Sequence, residues 1–191
     1  MATIPLASAE AGAERARLGM WLFLATEAMF FGPLFFGYVH SRLADSAAFA
    51  SGSHHMHFWL GTINTAVLLT SSFTMAISVH GKERIRGTLG LTFVLGAAFL
   101  LIKGYEYGSE IPEVLAAKGA EQVFYLLYFA MTGLHAIHLL IGLGLVAWLF
   151  LSAHGRRAGT PVEIVGLYWH FVDAVWLFLY PMFYLLERYS A

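Results

Sequence analysis

The sequence predicts an all-α integral membrane protein, a bundle of five transmembrane helices with its N-terminus cytoplasmic and its C-terminus periplasmic. Three observations lead there. Of the 191 residues, 59% are hydrophobic and only 12% charged, and a mean hydropathy of +0.67 is too apolar for one soluble core. Five stretches reach the roughly 20 apolar residues that a hydrocarbon layer about 30 Å thick demands. Lys and Arg also fall unequally between the connecting segments, which sets orientation.

The predicted spans are Leu18 to His40, His57 to Val79, Thr88 to Tyr107, Val123 to Ser152 and Val162 to Leu186. Strands are excluded within them, because an open strand would leave backbone groups unpaired in lipid. The segments between, Ser41 to Met56, His80 to Gly87, Gly108 to Gln122 and Ala153 to Pro161, read as short polar turns, so residues 1–191 form a single domain. Met1 to Arg17 carries Glu10, Glu14, Arg15 and Arg17 without an apolar run, unlike a cleavable secretory signal. One side of the membrane would hold Arg15, Arg17, Lys82, Arg84, Arg86, Arg156 and Arg157, and the other Arg42, Lys103, Lys118 and Arg188. The richer side is cytoplasmic by the positive-inside rule.

Small residues suggest that the helices pack against one another. Gly87, Gly90, Gly96, Gly133, Gly142, Gly144 and the pair Gly61 and Thr65 would admit close backbones. Trp21, Trp59, Tyr105, Tyr107 and Tyr189 fall near span ends, as an interfacial aromatic belt requires.

Several chemistries are excluded. The chain has no cysteine, hence no disulfide, thiolate metal site, iron–sulfur cluster or covalently attached haem. A net charge of -1 without a basic stripe gives nucleic acid no purchase. No P-loop, no G-x-S-x-G and no H-E-x-x-H occurs.

The informative residues are the ionisable ones inside the spans: Glu27, His135, His138, His170 and Asp173. An Asp at a helix centre is disfavoured by about 2.5 to 3.5 kcal/mol, so each needs a partner, a proton or a wet cavity. Helical rise places Glu27 about 14 Å, Asp173 about 16 Å and His170 about 12 Å from the cytoplasmic span ends. On the fourth span Thr132, His135, His138 and Gly142 make one stripe, and on the fifth Gly166, His170 and Asp173 make another. Both stripes should face protein. Three roles compete for them: interhelical hydrogen bonds, ligation of a metal or haem, and proton relay. The apolar Phe23, Leu24, Phe30 and Phe31 around Glu27 argue against a wet path and predict a hydrogen-bonded or protonated carboxyl. Lys103 and Glu106, three residues apart near the outer end of the third span, read as a local ion pair. His54, His55 and His57 read as a solvated loop.

Five blocks in order carry a resemblance: RLGMWLFLATEAMFF at 17–31, NTAVLLTSS at 64–72, KGYEY at 103–107, TGLHAIHLLIG at 132–142 and YWHFVDAVWLFLY at 168–180. They resemble subunit III of the haem-copper respiratory oxidases, the cytochrome c oxidase and quinol oxidase complexes. Longer members have seven helices in a V, and this chain is similar to their five-helix part. The resemblance implies a non-catalytic subunit of a proton-pumping terminal oxidase in aerobic respiratory electron transport. Such a subunit has no active site of its own. It would stabilise subunit I directly, support its proton uptake and bind lipid, with subunit II and other respiratory subunits as further partners. Haem and copper would reside in those partners, with no cofactor and no metal in this chain apart from bound phospholipid. The setting implied is the inner (plasma) membrane of a bacterium, crossed several times. Matched residue by residue, the buried polar positions are Glu27, Asn64, Glu106, His135, His138, His170 and Asp173, and the lipid contacts Trp21, Arg156 and Arg157. The rival readings are a quinol-oxidase or nitric-oxide-reductase-associated member of the same family, and an intramembrane haem or metal enzyme.

Overall fold

The computed structural model describes residues 6–81, 85–152 and 159–186. Among these residues every regular element is helical. Five helices are long and apolar enough to cross a membrane: α1 (Leu6–Ala44), α3 (Phe58–His80), α4 (Ile85–Ala116), α5 (Ala120–Leu151) and α6 (Thr160–Tyr180). A ten-residue helix, α2 (Ser46–His55), lies between the first two spans.

Two of the segments predicted as turns are therefore helical. Ser41 to Met56 contains α2, started by Asp45, whose side chain accepts from the Ala48 amide at 3.1 Å and so satisfies one free donor of the first turn. Gly108 to Gln122 shrinks to three residues, because α4 runs on to Ala116 through Pro112 and α5 begins at Ala120. Gly119, at φ 62, makes that turn, in the left-handed region open to a residue without Cβ. Continuing both helices keeps most backbone groups bonded near the span ends, where hydropathy alone sees only polar residues.

Helices α3, α4, α5 and α6 pack in a closed ring, each against the next and α6 back against α3. α1 stands outside it, leaning on α6 and α5. The consequence is visible in burial: 56% of the most apolar window of the last span is inside the protein, against 17% for α1. The lipid-facing side of α1 shows Leu18, Leu22, Met29, Phe36 and Leu43.

Glycine decides where the ring helices close. A Cβ on Gly96 would stand 2.7 Å from the Trp169 ring, and one on Gly166 2.6 Å from Val79. Gly61 and Gly142 meet Tyr184 and Trp169 at 2.9 and 3.1 Å. Of the other predicted packing glycines, Gly87 and Gly144 face open space. The α3 and α4 pair is further joined by hydroxyls: Thr74 to Thr92 at 2.7 Å, Ser78 to Thr88 at 2.7 Å, and Ser71 to the Thr92 carbonyl at 3.2 Å. Such bonds substitute for the hydrophobic drive that helices lack in lipid.

Beyond Tyr180 the chain widens into a π-helical turn, Pro181–Leu185. Proline has no amide hydrogen to continue the α pattern. Two carbonyls of this turn take hydroxyls from elsewhere: Tyr38 of α1 donates to Met182 at 2.5 Å and Ser53 of α2 to Phe183 at 2.8 Å.

Candidate functional site

The polar residues fall into an inner set and an outer set. In the inner set, Glu27 Oε2 lies 3.0 Å from His138 Nε2, joining α1 to α5. His138 Nδ1 is 2.8 Å from the Leu134 carbonyl. A carbonyl only accepts, so Nδ1 carries a hydrogen and Nε2 is the atom turned to Glu27. Tyr168 of α6 donates to the His138 carbonyl at 3.1 Å, and the Phe31 ring meets the imidazole edge-on at 5.2 Å. Glu27 thus has the partner its apolar neighbours call for. It is not sealed, however: the pair keeps 19% and 14% of its side-chain surface exposed. α1 touches the ring along one side only, so Phe23 and Phe30 turn outward and do not close over it.

His170 is likewise half-buried, its Nδ1 2.8 Å from the Ser72 hydroxyl of α3. Asp173, one turn on, is 3% exposed, beside Ser72, and neither of its oxygens meets hydrogen-bond geometry with a described group. His135 is 1% exposed and held by faces rather than bonds, its ring 5.7 Å from Phe99 and 5.1 Å from Trp176. Asn64 donates to the Phe99 carbonyl at 3.2 Å, tying α3 to α4, and Trp176 donates to Thr65 at 3.0 Å. His135 and His138 therefore diverge, one toward Trp176 and the other toward Glu27. Among the described residues no three His, Asp or Glu side chains gather as a metal site would require.

The outer set is where the structure departs most from the sequence expectation. Lys103 and Glu106 do form an ion pair, at 3.0 Å, but deep in the ring, 3% and 0% exposed. The Lys103 ammonium also donates to Tyr128 at 2.9 Å and Tyr184 at 2.6 Å. Both tyrosine hydroxyls in turn donate to Glu106 Oε1. Glu110, one turn further, is 1% exposed with both oxygens unpartnered among the described groups. Sequence reasoning missed Tyr128, Tyr184 and Glu110. One signal was present: Tyr128 precedes Thr132 by four residues and extends the stripe through His135. Tyr107, read as an interfacial anchor, instead turns inward to Thr132 at 2.5 Å.

Trp21, 59% exposed, lines an apolar groove of about 460 Å³ between α1 and α6, with Leu24, Ala28, Leu167, His170 and Phe171. A second hollow of about 290 Å³ adjoins it at Leu167 and His170, rimmed by Arg17, His80 and Glu163. Arg17 and Glu163 pair at 2.6 Å. Arg156 and Arg157 lie outside the described residues, as does Tyr189.

Residues 6–188 match the family described as cytochrome c oxidase subunit III. The cytochrome c oxidase subunit 3 of Corynebacterium diphtheriae is 32% identical over 182 residues, 89% of this chain and 87% of its own length. That of Scyliorhinus canicula is 35% identical over 188 residues, 88% of this chain and 68% of its own. A heme-copper oxidase subunit I+III of Aeropyrum pernix is 28% identical over 191 residues, 90% of this chain and 23% of its own.

Proposed function

The chain belongs to the cytochrome c oxidase subunit III family, and from that premise we propose that it is a supporting, non-catalytic subunit that stabilises subunit I, assists its proton uptake and binds lipid. Aerobic respiration and proton pumping follow from the family. One observation carries the supporting role: Glu27 is bonded across helices to His138, and Lys103 with Glu106 to two tyrosines of other segments. They are arranged to hold helices. In this proposal haem and copper belong to the other subunits, as the family resemblance implies, and electrons bypass this chain.

The relative named subunit I+III supports subunit I as the direct neighbour, since joining two units in one polypeptide keeps them close together. The groove at Trp21 has the form of a lipid site, an apolar trough ending at a charged rim of Arg17, His80 and Glu163. The charge asymmetry supports a cytoplasmic N-terminus, and more so with Lys103 buried in the bundle and removed from the outer count. The Corynebacterium relative of similar length supports a bacterial plasma membrane as the setting.

Gentle detergent extraction, followed by identification of what travels with the chain, tests the reading. Subunit I and phospholipid accompany it, and the polypeptide separated from its partners is colourless. Iron or copper bound stoichiometrically to that isolated polypeptide would overturn the proposal. In the intact complex, Glu27→Ala shortens the turnover lifetime more than it lowers the initial rate of oxygen reduction. Immediate loss of all activity would contradict a supporting role.

A further inference from the structure

The surroundings of Lys103 form a complete receptor for one ammonium group. An alkylammonium has three N–H donors and no acceptor. The site offers three acceptors, Glu106 Oε2 at 3.0 Å, Tyr128 at 2.9 Å and Tyr184 at 2.6 Å. Each tyrosine, having accepted from the ammonium, passes its own hydrogen to the second oxygen of Glu106. Every polar hydrogen in the circuit is used. Beside the two tyrosines that accept its hydrogens stand the rings of Tyr107 and Trp176, with centroids 5.5 and 5.0 Å from the nitrogen. Ring faces attract a cation at this range, and more strongly where water is excluded. The walls come from α4, α5, α6 and the π-helical turn, so the ammonium closes three sides of the ring at once.

We propose that this outer chamber is a self-filled primary-ammonium site. Lys103 supplies its ligand, and when that side chain is cut back the chamber accepts a free alkylammonium ion. The chemistry is selective. A quaternary ammonium satisfies the rings but brings no hydrogens to the three oxygens. The planar fork of a guanidinium cannot direct three hydrogens from one atom.

Lys103→Ala keeps Cβ and removes three carbons and the nitrogen, the atoms of n-propylammonium. The full chain carrying this substitution, extracted together with its complex, is unfolded by heat with n-propylammonium, n-propanol or tetramethylammonium present. n-Propylammonium raises the unfolding midpoint saturably, by about 5 °C. The alcohol and the quaternary ion do not, and adding Glu106→Gln abolishes the rise. No response to n-propylammonium, or an equal response to n-propanol, overturns the proposal. Should Lys103→Ala not accumulate, Lys103→Met and Lys103→Arg replace it. Both unfold below the wild type, and a wild-type midpoint in Lys103→Met overturns the proposal equally.

Discussion

Two acid–base pairs of this bundle have the same length and different settings. Glu27 with His138 and Lys103 with Glu106 both measure 3.0 Å. The first bridges the ring to the outlying α1 and keeps 19% and 14% of its surface exposed. The second lies inside the ring at 3% and 0%, with every hydrogen directed at an acceptor. Contact distance therefore says little about what a pair contributes. A buried charge that loses its partner has no water to turn to, whereas a rim charge does. The sealed pair is a closure of the ring, and the open one ties an outlying helix to it.

Substitutions can break that contrast, and unfolding of the complex in denaturing detergent reads each one. Glu106→Ala has the largest effect, about 3 to 5 kcal/mol, because it strands the Lys103 ammonium among rings. Tyr184→Phe follows at about 2 kcal/mol, since it removes one acceptor from Lys103 and one donor from Glu106 while leaving the ring in place. Glu27→Ala costs about 1 kcal/mol, and its sharper sign is faster proteolysis of α1 relative to the ring helices. Arg17→Ala, at the exposed pair with Glu163, changes stability by about 0.5 kcal/mol or less. An effect of Glu27→Ala equal to that of Glu106→Ala would erase the distinction between rim and interior.

Parts of this picture were legible beforehand, for identifiable reasons. The spans are long apolar runs, and hydropathy counts each run without reference to any other. Asp173 and His135 were recognisable as interior because their helices had to turn polar stripes away from lipid, whereas Asn64 and Glu106 rested on the family resemblance. The extent of α4 past Tyr107 was not, since Gly108, Ser109 and Glu110 look like a turn until Glu110 is seen tucked against the ring. The exposure of Glu27 was missed too. Its flanking phenylalanines looked like walls, and only the peripheral position of α1 turns two of them outward.

Length and apolar runs by themselves determined that the chain is helical, that it has five helices fit to cross a membrane, and that polar residues within them such as His135 and Asp173 must be sheltered. The tertiary structure alone decided who shelters whom. Glu27 meets His138 across 111 residues and Lys103 meets Tyr184 across 81. The first property is a sum over neighbours along one helix. The second depends on which helix faces which, and that is set by shape at contacts such as Gly96 on Trp169.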